Sequence, residues 1–179
     1  MLERKNTALV VIDVQGRLAQ IMQDKESLFQ NLQRMTQGAQ ILDIPIIWMQ
    51  QNPEGLGETI PELKELLLEQ QPINKMTFSC CGDETFNSKL ASLGCNQVLL
   101  VGIEAHVCVY LTAADLQNRG IQTHVVADAV SSRTAFNRQI GIDKIRECGG
   151  KITGVETALF ELLDRAEGDE FKQILKVIK

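Results

Sequence analysis

The sequence is short of positive charge, of histidine, of paired cysteine motifs and of long apolar runs, and each shortage removes a class of function. Its 18 Lys and Arg face 23 Asp and Glu, a formal net charge of −5. Nucleic acids and anionic membranes favour a basic surface, so neither is an expected partner. The five cysteines are an odd number, and none forms a C-x-x-C pair or joins histidines in a metal-binding tetrad. Reduced thiols in a cytoplasmic protein are the expected state. The apolar stretch near the N-terminus, "TALVVI" (7–12), runs into Asp13. That is too short for a secretory signal or a membrane span. No repeat, linker or low-complexity tract divides the 179 residues. One domain, 1–179, is expected, and that length buries a full core without staples.

What is present is an alternation of short β-branched runs with amphipathic stretches. It predicts βαβ units around a parallel sheet covered on both faces. "TALVVI" reads as a central strand, and Leu28, Leu32, Met35, Ala39 and Leu42 form one stripe at helical spacing. "PIIWMQ" (45–50) is a second strand, followed by a loop and a short helix from near Pro61. The segment 71–83 is extended and mixed. Asp83 then caps a helix that Gly94 ends. Further strands are read at 96–103, 121–128 and 151–154, and further helices at 105–119, 134–148, 155–163 and 170–178. In the last helix Phe171, Ile174, Leu175 and Ile178 form an apolar face, expected to dock on the body or on a neighbouring subunit.

Ligands of open α/β sheets bind beyond the carboxyl ends of the strands. Those ends carry Asp13, Gln15, Gln50 to Asn52, Lys75, Glu104, His106, Cys108 and Asp128. Each has a plain structural reading: Asp13 as a turn anchor, Lys75 as a solvated lysine, Cys108 as a small buried hydrophobe, Asp128 as a turn residue that caps the helix following it. Cys80, Cys81, Cys95 and Cys148 read as packing. Together, however, a carboxylate, an ammonium and a thiol fall at strand ends of one sheet. Cys108 is also read in the first turn of a helix, where free N–H groups lower a thiol pKa and stabilise an oxyanion.

The ordered set "ALVVIDVQ", "INKMTFSC", "VGIEAHVCV" and "THVVADAVSSR" resembles the isochorismatase-like cysteine hydrolase superfamily, and within it the small isochorismatase domain-containing proteins. The resemblance runs along essentially the whole chain. It implies a three-layer α/β/α sandwich, Rossmann-like, with a six-stranded, mainly parallel sheet and helices on both faces. It implies an Asp-Lys-Cys triad on Asp13, Lys75 and Cys108. It further implies a cis peptide at Ile103–Glu104, which sets the backbone N–H of Glu104 beside that of Cys108 as an oxyanion hole. A homo-oligomer is implied as well.

The expected activity is hydrolysis of a small C–N substrate such as an amide, through a thioester and without a cofactor. Pocket walls are expected at Gln15, Trp48, Gln50, Asn52, Thr77, Phe78 and His106. Nicotinamidases of the superfamily carry a metal-binding Asp/His set after the second strand. Here that region reads "WMQQNPEGLGE", and His106 and His124 are the only histidines, so no metal is expected. Isochorismate hydrolysis proper uses no thiol nucleophile, and Cys108 weighs against that substrate. Two other readings stay open: a non-catalytic scaffold or interaction protein that keeps the fold, and a redox-active thiol protein that needs Cys108 but not Lys75.

Overall fold

The computed structural model describes every residue from Met1 to Lys179. Six strands form one sheet: β1 (Thr7–Ile12), β2 (Ile46–Gln51), β3 (Ile73–Lys75), β4 (Gln97–Ile103), β5 (Gln122–Ser131) and β6 (Lys151–Thr153). Their spatial order is β3-β2-β1-β4-β5-β6, and every neighbouring pair is parallel. Nine helices connect or follow them: α1 (Gly16–Gln20), α2 (Lys25–Ile41), α3 (Pro53–Leu56), α4 (Pro61–Lys64), α5 (Glu84–Leu93), α6 (Tyr110–Asn118), α7 (Ala135–Glu147), α8 (Val155–Leu163) and α9 (Gly168–Ile178).

Successive side chains on a strand point to opposite faces, and the sheet accordingly separates two apolar layers. Leu9, Val11, Trp48, Leu99 and Val101 pack with residues of α2, α8 and α9. Val10, Ile12, Ile47, Met49 and Val98 pack with residues of α5, α6 and α7. The result is a three-layer α/β/α sandwich. All six residues of β1 are buried, as a continuous apolar run at the centre of a doubly covered sheet requires. From β1 the chain winds out to β2 and β3, then returns to β4 on the other side of β1. The switch in winding direction opens a crevice at the carboxyl ends of β1 and β4.

Local signals act as read at several points. The Asp83 carboxylate accepts the N–H of Phe86 at 3.0 Å, and Gly94, in the left-handed region at φ 64°, ends α5. Ile174 of α9 is fully buried, and Arg4 holds Glu170 of the same helix through two hydrogen bonds of 2.8 and 2.9 Å. No helix is long and apolar enough to cross a membrane.

Two readings are corrected. β5 continues to Ser131, so Asp128 lies inside it. Its carboxylate accepts the N–H of Val155 at 2.9 Å, capping α8 rather than the helix that follows in sequence, which Thr134 caps. The helix expected over 105–119 opens instead with a single π-helical turn, Ala105–Val109, before α6. Upstream of that turn, Gly102 sits beside Ile12 at φ 116°, where a Cβ would come within 2.1 Å of the Ile12 carbonyl oxygen. Only glycine fits there. The β4–β5 register shifts across the same point.

Candidate active site

The crevice between β1 and β4 collects the three groups singled out in the sequence. Asp13 follows β1 directly, in the left-handed region at φ 52°, a conformation that Asp tolerates better than most residues. Cys108 follows β4 within the π-helical turn. The peptide joining Ile103 to Glu104 at the entry of that turn is cis. Helix α7 closes down on the turn through Gly141, where a Cβ would meet the Ala105 carbonyl carbon at 2.5 Å.

Lys75 comes from β3, at the sheet edge and two strands from β1. Its side chain has no exposed surface. Nζ donates to Asp13 Oδ2 at 2.6 Å, Gln51 Oε1 at 2.7 Å, the Phe78 carbonyl at 3.0 Å and the Thr77 carbonyl at 3.1 Å. A buried ammonium persists only with such compensation. The other Asp13 oxygen, Oδ1, is buried with no hydrogen-bond partner, and the carboxylate lies against the Cys108 thiol. Burial pushes the Asp13 carboxyl above its usual range, and Lys75 only partly offsets this. Burial, followed by the Asp13 carboxylate, pushes the Cys108 thiol up to about 12, with Lys75 pulling the other way.

The expected lowering of the Cys108 pKa by a helix N-terminus therefore does not hold. The thiol is desolvated and faces a carboxylate, and those two effects outweigh a nearby ammonium already committed to four acceptors. Both effects favour the neutral form of the thiol.

The other expected wall residues divide. The backbone carbonyls of Thr77 and Phe78 hold Lys75, while the Phe78 side chain is exposed. Asn52, at φ 36°, donates its N–H to the Lys75 carbonyl at 3.0 Å. The His106 ring sits 3.0 Å from the Ser132 hydroxyl. The Glu104 carboxylate accepts from the backbone N–H and Nε of Arg133 at 3.0 and 3.2 Å, and its own backbone N–H is bonded to no group of the chain.

Gln15, Trp48 and Gln50 are not brought to the thiol. Gln15 is a buried clamp: its amide donates to the Gln51 and Gly57 carbonyls and accepts the Gln51 N–H. Trp48 and Gln50 point to the opposite face of β2, where both donate to Thr59 Oγ1 at 2.8 Å. Period-2 alternation explains this: Gln51, one residue on, is the β2 side chain that reaches Lys75. Gln51 was read at a strand end but not among the expected pocket walls, where strand phase alone would have placed it. Cys80 also belongs here, fully buried within the electrostatic reach of Lys75, Asp13 and Cys108. Burial pushes its thiol far above the usual range. No group of three or more His, Cys, Asp or Glu side chains is placed to hold a metal ion.

The isochorismatase domain matches residues 7–157. The chain belongs to the isochorismatase family. Isochorismatase domain-containing protein 2 of Danio rerio is 37% identical over 178 residues, covering 99% of this chain and 89% of its own. A Caenorhabditis elegans structure named MAR1 ribonuclease is 38% identical, with a TM-score of 0.92 over 99% of this chain and 91% of that one. The Escherichia coli YcaC structure, described as an octameric hydrolase of unknown specificity, shares the fold at a TM-score of 0.93 and 20% identity, covering 98% of this chain and 89% of that one. Within the isochorismatase-like hydrolases, fold and sequence agree on membership without naming a substrate.

Proposed function

We propose that this chain is a cysteine hydrolase that cleaves a small C–N substrate such as an amide, with Asp13, Lys75 and Cys108 as its triad and no cofactor. One observation carries the reading. The Asp13 carboxylate has one oxygen engaged by Lys75 and the other buried, unpartnered and beside a nucleophile. A base held in that way can accept one proton in one direction.

Because burial and Asp13 favour the neutral thiol, proton transfer to Asp13 accompanies attack of sulfur on the substrate carbonyl. The ammonium of Lys75 balances charge as the proton moves. The tetrahedral oxyanion forms against the backbone N–H groups of Glu104 and Cys108. Asp13 returns its proton to the departing nitrogen, leaving a thioester on Cys108. It then deprotonates water, which attacks the thioester, releases the acid and restores the thiol. A homo-oligomer acting on a small molecule inside the cell fits the five free thiols and the acidic net charge of −5.

The test is a turnover screen of amides, ureas and carbamates, with an RNA oligonucleotide included because of the name of the C. elegans protein. Mass spectrometry follows the Cys108 peptide. A substrate from the C–N set that leaves an acyl adduct on Cys108, with turnover abolished in Cys108→Ala, supports the reading. RNA cleavage without an adduct, or full turnover in Cys108→Ala, overturns it.

A further inference from the structure

The opposite face of the β2 carboxyl end holds a second cavity, separate from the thiol. It is open to solvent on one side, measures about 320 Å³ and is lined by Trp48, Gln50, Glu58, Lys64, Leu68 and Pro72 among others. That volume falls at the lower end of the roughly 300–1,000 Å³ usual for small-molecule pockets. We infer that this cavity is a binding site for a small, flat, neutral heterocycle bearing an N–H donor.

The polar groups fix the chemistry. Gln50 is 95% withdrawn from solvent, at 5% relative exposure. Its amide nitrogen is committed to Thr59 Oγ1 at 2.8 Å, and no group of the chain donates to its Oε1. That oxygen keeps some exposed surface, since it is not among the fully enclosed unpartnered atoms, and Gln50 lines this cavity. An unpaired acceptor on the lining of a pocket favours a ligand with a matching donor, because a ligand without one leaves it unpaired. The walls set the shape: Leu68, 72% exposed, and Pro72 give most of the apolar lining, and the Trp48 ring, 5% exposed and locked by its own bond to Thr59, adds a small fixed patch, a surface against which a planar ring can lie. At the rim, Glu58 and Lys64 pair at 2.6 Å and offer one acceptor and one donor. Their mutual neutralisation disfavours a charged ligand.

Trp48 is the single tryptophan of the chain, so its indole N–H gives one resonance in a proton–nitrogen correlation spectrum. Titration with benzimidazole, which has an N–H donor and no hydrolysable C–N carbonyl, should shift that resonance saturably. Loss of one neutral hydrogen bond weakens binding about tenfold, so Gln50→Leu should raise the apparent Kd by about that factor. Leu68→Glu, at an exposed position on the lining, should also weaken it and leaves the core untouched. Binding should persist after alkylation of Cys108 and in Cys108→Ala, and it does not depend on the proposed hydrolysis. A non-saturable or absent shift overturns the inference, as does a shift lost on Cys108 alkylation, which would put the ligand at the thiol.

Discussion

Lys75 and His124 are both buried basic side chains on strands of one sheet, at 1% and 4% exposure, and the molecule treats them oppositely. Lys75 ends β3 and meets four oxygen acceptors, two of them the free carbonyls of the loop that follows. His124 lies within β5, and its Nε2 has no partner. Burial, reinforced by the nearby Lys151 cation, pushes it down to about 4, so it is neutral at ordinary pH. The difference is positional. Mid-strand carbonyls are spent on the sheet ladder, whereas the carboxyl rim leaves carbonyls available to a cation. A charge can be kept at the rim, where the crevice is, and has to be extinguished one layer deeper.

The strongest way to break this contrast is to remove one member of the rim pair. Asp13→Asn leaves the Lys75 ammonium buried without its counter-charge, and Lys75→Met leaves the carboxylate likewise. Each should destabilise by about 3–5 kcal/mol. The double variant Asp13→Asn/Lys75→Met removes both charges and should recover most of that loss, whereas under the proposed triad turnover should be lost in all three. Urea unfolding arranged as a double-mutant cycle reads the coupling. Additive losses would mean that the two charges are not held by one another.

The His124 side of the contrast is tested with pH. Its folded pKa is about 4 against an ordinary 6.5, so between those values the unfolded chain binds a proton that the folded chain refuses. Stability is then full above pH 6.5, falls as pH drops through the window, and levels off below 4. The shift corresponds to about 3 kcal/mol. Subtracting the urea-unfolding profile of His124→Phe from that of the unmodified chain should isolate this slope. An unchanged profile would mean that His124 is not held neutral.

Much of this was legible in the residues. The β1 run, the Asp83 cap and the α2 stripe each follow from local chemistry, and the resemblance supplied the identities of Asp13, Lys75 and Cys108. The sign of the Cys108 shift was not legible, because it depends on how deeply the π-helical turn buries sulfur against Asp13, a tertiary distance. Trp48 and Gln50 were misplaced for a simpler reason: composition puts them near the rim, but strand phase decides the face. Asp128 was assigned to the adjacent helix because sequence proximity was the only guide, while β5 runs three residues further and delivers its carboxylate to α8. Cys80 had no partner in the sequence and acquires its neighbours only through the β3 crossover.

The smallest expected effect sharpens where the rim ends. Arg133 pairs with Glu104 at 3.2 Å, but its side chain is 55% exposed while that of Glu104 is only 9% exposed. The same Glu104 oxygen also accepts the Arg133 backbone N–H at 3.0 Å, a bond that survives removal of the side chain. Arg133→Ala therefore orphans nothing, and a half-solvated pair contributes little in water. The expected cost is below about 1 kcal/mol by urea unfolding, smaller still when salt is added. A cost comparable to that of Lys75→Met would show that Glu104 depends on the guanidinium itself, and the boundary between enclosed and solvated charge would then have to be drawn further out along the β5–α7 loop.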